Sequence, residues 1–224
     1  AAPAGLVIPG LSGPVQAVYD ENGLLHLTCK TDEDCVAALG YFHAANRFFT
    51  MDFARRLVRG RLAGLVKAGD LALKSDYLWR HRMTNAQGVP LEEDAVTRSS
   101  PETQALFGRY TAGVNAWIAD LKAKRNGAAL PIEYDFPLIA SKDVALWEPA
   151  DTMAVALNMV DMLGSTMDDE LTAAEIAANY KADVAKDLLS VQPSFPVFTT
   201  TASGMAPISY NPAQLDLGRF VAAR

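Results

Sequence analysis

Residues 15–29, VQAVYDENGLLHLTC, hold two β-prone runs separated by Asp20-Glu21-Asn22-Gly23. Asn-Gly accepts the positive φ that a tight turn requires, so this segment predicts a β-hairpin. Thr31 can then cap a helix, with Asp32, Glu33 and Asp34 placing negative charge in its first turn. That helix is predicted to run to about Arg59, with Gly60 as its stop. It carries Tyr41, Phe42, Phe48, Phe49 and Phe53 together with Met51 and Leu57. Such an apolar surface is too broad for a helix exposed on all sides.

Further along, short helical pieces are expected at 61–67 and 71–81, then a polar connection at 87–94. Ser100-Pro101-Glu102 gives a capping serine and a proline at the first helical position, so a helix starts there and ends at Asn126-Gly127. Residues 131–137, bounded by prolines, must be irregular or extended. Another helix starts near Pro149 and carries MAVALNMVDML until Gly164-Ser165-Thr166 interrupts it. Residues 168–190 are alanine-rich with an acidic start and predict one further helix. After Pro193 no period is sustained, which describes a tail that is either mobile or packed on something outside the chain.

Composition narrows the class. Half of the 224 residues are hydrophobic and 21% are charged, enough for a sizeable core. A net charge of −6 argues against a nucleic-acid binder, which would show a basic face. Arg55, Arg56, Arg59 and Arg61 do cluster, but the run is interleaved with apolar residues and reads as a helix surface or a set of ion pairs. No stretch approaches the ~20 apolar residues of a membrane span. The opening AAPAGLVIPG is the kind of segment left after an export signal is removed.

Candidate chemistry is sparse. Cys29 and Cys35 are close enough in sequence for a disulfide, which would imply an oxidising compartment; two reduced thiols fit the spacing equally well. His26, His43 and His81 have no partner at metal-ligand spacing, and no G-x-S-x-G elbow or glycine-rich phosphate loop occurs. Asp168-Asp169-Glu170 form the densest acidic cluster. Carboxylates at a helix start serve the helix dipole, and one of them could instead ligate a hard cation such as Ca2+, which needs 6–8 oxygens. No self-sufficient active site emerges from these residues.

The segment GYFHAANRFFTMDFARRLVRGRLAGL, residues 40–65, resembles the penicillin acylase family of N-terminal-nucleophile hydrolases. The upstream VYDENGLLHLTCKTDEDCVAALGY is similar to that family's opening hairpin and first helix. Downstream, RYTAGVNAWI and PIEYDFPLIASKDVALWEPADTMAVAL are similar to two further family elements, in the same order. The likeness covers about residues 14–175.

The resemblance implies an α+β fold: the helix-rich α subunit of a four-layer αββα sandwich, completed by a β subunit cut from the same exported precursor. The catalytic serine would begin the β subunit, so no catalytic residue is expected in this chain. The enzyme would be periplasmic or secreted, and the irregular tail, residues 193–224, would pack on the β subunit. Glu170 falls where the family places a ligand to structural Ca2+. Val160, Leu163 and Gly164 fall where it places a methionine, an arginine and a phenylalanine of the acyl pocket. Their replacement here implies a wider, more apolar pocket that suits longer acyl chains. An asparagine, Asn46, replaces the family's aspartate beside Arg47, so their pairing becomes at most a neutral hydrogen bond. The activity implied is amide hydrolysis by acyl transfer, on penicillin-like, acyl-homoserine-lactone or lipopeptide substrates. A reading of another class, a non-enzymatic helical scaffold with an acidic surface, would also suit the apolar excess and the ragged tail.

Overall fold

The computed structural model describes residues 6–164 and 168–189. Strands β1 (Gln16–Tyr19) and β2 (Leu25–Thr28) pair antiparallel, Gln16 opposite Thr28 and Tyr19 opposite Leu25. Gly23 takes φ 76° in their turn, and the Asp20 carboxylate accepts hydrogen bonds from the Asn22 and Leu24 backbone N–H groups at 2.9 Å. The side chain thus closes the turn that the backbone begins.

Helix α1 (Asp32–Val58) starts at Thr31, whose hydroxyl accepts from the Asp34 N–H at 3.2 Å. A disulfide joins Cys29, just after β2, to Cys35 in the first turns of α1, with Cα atoms 5.5 Å apart. It ties hairpin to helix. Closing so short a loop restricts the unfolded chain by about 2 kcal/mol. Cys29→Ser with Cys35→Ser is therefore expected to lower the unfolding free energy by about 2 kcal/mol, read as a lower urea midpoint. An unchanged midpoint would contradict the clamp.

α1 kinks at Arg47, where φ is −143° and ψ 24°. Asn46 does not pair with the Arg47 side chain; its amide donates to the Tyr19 hydroxyl at 2.6 Å, while Arg47 donates to the Asn46 carbonyl at 3.1 Å. The hairpin thus supplies the acceptor that the Asn46 amide uses.

Helix α2 (Asp70–Arg82) follows a 3-10 turn at Leu62–Gly64, and α3 (Leu91–Arg98) lies partly where the sequence predicts a connection. The connection is shorter because the Asn85 side chain accepts from the N–H groups of Gln87 and Val89, folding the link into one tight turn. Helix α4 (Pro101–Ala123) is capped by Ser100 and ends at Lys124 in the left-handed region, φ 52°. It packs along α1, burying Ala37, Ala38, Tyr41, Ala44 and Phe48 against Val114, Trp117 and Ile118. The Phe48 and Trp117 rings lie 4.7 Å apart. This is the core.

After a 3-10 turn at Ile132–Asp135 comes α5 (Pro149–Leu163). Residues 168–190 were expected to form one helix and instead form two, α6 (Asp168–Asn179) and α7 (Ala182–Leu189). Asn179 turns its amide back onto the Glu175 carbonyl, and short polar side chains that bond their own backbone favour helix ends. α6 and α7 pack together, with Ala174 and Ala185 buried. The chain divides into two compact units, one ending at Asp161 and the other beginning at Met162. The predicted Ser165-Thr166 break and the tail at 193–224 lie outside the described residues. No helix among those described is long and apolar enough to cross a membrane.

Two buried carboxylates shape the acid response. Asp34 accepts from the Ser12 hydroxyl at 2.6 Å and the Ser12 N–H at 2.9 Å, and these bonds hold its carboxyl below the ordinary value. Burial works against the charged form of Asp120, but Asn126 (2.6 Å), Tyr41 (3.0 Å) and Arg125 (2.9 Å) outweigh it and leave that carboxyl lowered too. Groups with depressed folded-state pKa stabilise the fold above their unfolded value near pH 4, and the benefit is lost as pH falls through the folded value. Unfolding is therefore expected to become easier below about pH 4, with Asp120→Asn flattening that limb. Identical acid limbs for variant and parent would contradict it.

Candidate functional site

Arg55, Arg56 and Arg59 are not a solvated face. Arg55 is 5% exposed and Asp52, one turn before it, is fully buried. The Arg55 guanidinium donates to Asp52 at 2.8 Å, to Asp151 at 3.0 Å, and to the carbonyls of Leu146 (3.0 Å) and Ala145 (3.1 Å). It also stacks 4.9 Å from the Trp147 ring. Asp52 further accepts from Arg56 at 3.0 Å and from the Tyr134 hydroxyl at 2.8 Å. That carboxylate and burial push the Tyr134 hydroxyl well above its usual range.

Arg59 extends the network. It reaches Asp151 and Glu148 at 2.8 Å each, Glu93 at 3.0 Å and Glu92 at 3.4 Å. Burial alone would make Arg59 easier to deprotonate, but these carboxylates reverse the effect and hold it charged. Glu92 is 2% exposed, and desolvation raises its pKa despite Arg59. The network bonds the C-terminal half of α1 to the segment that starts α5. Asn115 adds a reciprocal pair, accepting from the Trp147 N–H at 2.8 Å and donating to its carbonyl at 2.9 Å. The chemistry is positional: a fixed α1 fixes where α5 emerges.

The residues assigned to an acyl pocket sit at the far end of that helix. Val160 and Leu163, one turn apart on one face, are 65% and 73% exposed, and Met159 and Met162 beside them are 49% and 65% exposed. Gly164 follows the last helical residue and is exposed. Glu170 lies in the first turn of α6 with Asp168 and Asp169, and it too is exposed. Residues 165–167 between them are outside the described set. No group of three or more histidine, cysteine or acidic side chains among the described residues is placed to hold a metal. Ca2+ needs 6–8 oxygens, so Glu170 can be at most one ligand of a site completed elsewhere.

The histidines are engaged otherwise. His26 contacts Asp20 at 3.0 Å, His43 the Tyr110 hydroxyl at 3.0 Å, and His81 stacks on Tyr77. None is hydrogen-bonded to a serine or cysteine among the described residues. Sequence reasoning missed Asp52, Asp151 and Glu92 as network members. Their signal was present: an Arg-Arg pair on one helix and a Trp-x-Pro-x-Asp phrase far downstream, which the fold brings together.

Comparison with known proteins places this geometry. Residues 14–210 match the family model for penicillin amidase. The chain is 34% identical over 160 residues to a penicillin acylase 2 proenzyme of Pseudomonas sp. (strain SE83), covering 71% of this chain and 19% of that protein. It is 28% identical over 191 residues to the acyl-homoserine lactone acylase QuiP of Pseudomonas syringae pv. syringae (strain B728a), covering 83% of this chain and 21% of that one. The matched stretch is thus about a fifth of those proteins' length. Among solved structures, the fold matches a thermostable penicillin G acylase from Alcaligenes faecalis with a TM-score of 0.63 at 20% identity, covering 84% of this chain and 97% of that one. Helix-rich with one small sheet, and matched over most of its length, the chain belongs to the penicillin amidase family.

Proposed function

We propose that this chain is the smaller subunit of an N-acyl amide hydrolase whose nucleophile opens a larger chain cut from the same exported precursor. One observation carries the reading: the chain covers 97% of a chain in a solved acylase but matches only 19% of a proenzyme's length. That contrast is what a precursor divided into a small and a large piece would give. In the assembled enzyme both chains form the four-layer αββα sandwich. The hydroxyl of the larger chain's first serine attacks the amide carbonyl, and the amine leaves with a proton. The serine's own α-amino group takes up the hydroxyl proton and passes it to the leaving amine, its pKa of about 7.7–8.0 being close to neutrality. Water then releases the acid from the acyl-enzyme.

This chain's share is a wall of the acyl pocket at Val160, Leu163 and Gly164, and one carboxylate, Glu170. Bound there with ligands from the larger chain, Ca2+ would tie structural elements together. The disulfide at Cys29 and Cys35 supports a periplasmic or secreted location.

The exposed apolar row at the end of α5, with Gly164 after it, favours a medium or long acyl chain over a compact aromatic one. The purified two-chain enzyme is expected to turn over a decanoyl amide with kcat/KM at least about tenfold above a phenylacetyl amide of the same amine. Gly164→Phe should narrow or reverse that ratio. A parental preference for phenylacetyl would sink the wide-pocket assignment.

A further inference from the structure

Helix α2 is seated firmly on its inner side. Ala72, Asp76 and Met83 are buried, and Trp79 packs with Val58, Met83 and Ala154. The Asp76 carboxylate accepts from the N–H groups of Leu62 and Ala63 at 2.6 and 3.0 Å. Its outer side is unusual. Leu71, Leu73, Tyr77 and Leu78 are 75%, 59%, 76% and 50% exposed, flanking a seam of Asp70, Lys74 and His81. The Lys67 N–H donates to the Leu138 carbonyl at 2.7 Å, which brings a second exposed apolar stretch beside the approach to α2. In that stretch Phe136 and Leu138 are 55% and 69% exposed. A soluble helix normally points such side chains inward, and a gathered apolar patch marks a surface that another protein covers. Aromatic and leucine side chains around a mixed-charge seam have the composition of a protein interface; they lack the basic excess of a nucleic-acid face.

We infer that the outer face of α2, with Phe136 and Leu138, docks the larger chain of the same precursor. This assignment rests on the two-chain reading above. The occupant follows from length: the relatives' polypeptides extend far beyond the matched fifth, so most of the family's protein lies outside this chain. An exposed apolar face with little net charge is what a permanent partner of that size would cover.

The test uses the full precursor, expressed and processed, with a photo-reactive phenylalanine analogue placed at Tyr77 or Leu71 and, as control, at the exposed Glu102 in the first turn of α4. Cross-links from positions 77 and 71 to the larger chain, at least tenfold above the control, are expected. A Leu71→Ser/Tyr77→Ser precursor should also give a complex whose chains separate at least tenfold faster in urea, with unchanged circular dichroism. If the two chains copurify but positions 71 and 77 give no such cross-link, or link only to a second copy of this chain, the docking assignment falls and the two-chain reading stands. If no larger chain copurifies, both fall.

Discussion

Arg55→Met is expected to destabilise the protein by about 3–5 kcal/mol, read as a lowered urea midpoint. The substitution keeps volume and removes only the guanidinium. Asp52 and Asp151 would then remain buried, at 0% and 3% exposure, each without its Arg55 donor, and the carbonyls of Leu146 and Ala145 would lose theirs. Asp52 keeps Arg56 and Asp151 keeps Arg59, but two buried carboxylates lose the cation between them, which is why the loss exceeds the worth of the bonds themselves. It follows that Arg55→Met combined with Asp151→Asn should recover part of the stability, since one of the two carboxylates left without Arg55 is neutralised too. Additive losses in the double variant would contradict a network account. Arg59→Met should cost less, because Glu93 and Glu148 are 48% and 61% exposed and can turn to water, which leaves the loss to Asp151 and Glu92.

Gly113→Ala is expected to be comparably damaging, by about 3 kcal/mol or more, for a different reason. A Cβ at Gly113 would stand 1.8 Å from the Ala37 carbonyl oxygen, and one at Gly40 would stand 2.3 Å from that of Tyr110. The two glycines face each other's helix backbone, so neither obstruction is a side chain that can turn aside. To admit the methyl group, α1 and α4 must separate, loosening the contacts of Phe48, Val114 and Trp117. Gly108→Ala serves as the control. It lies on the same helix with nothing within 4 Å of its Cβ, and alanine there should stabilise by roughly 0.5–1 kcal/mol. Equal effects at 108 and 113 would refute the close-crossing explanation.

These cases show what was legible in the sequence. The hairpin, α1, α4 and α5 follow from caps, turn residues and apolar period, because those signals are local. The overlooked start of α3 depends on Asn85 folding a turn with its own side chain, and the split of α6 from α7 depends on Asn179; both are choices among several that an asparagine can make. The arginine network was missed for another reason. Three arginines in five residues read as a polar helix face until Asp151 and the 145–146 carbonyls arrive from some 90 residues downstream. The acyl-pocket and calcium assignments at Val160, Leu163, Gly164 and Glu170 rest on the motif likeness alone, since no local pattern marks them and no metal-holding group assembles among the described residues.

The most direct measurement is intact-mass analysis with N-terminal sequencing of what copurifies with this chain from its native host. A larger chain beginning with serine, and labelled at that residue by a serine-reactive acylating agent, is the predicted result. A native protein made of this chain alone, or a partner whose first residue is not serine and carries no label, would contradict the account.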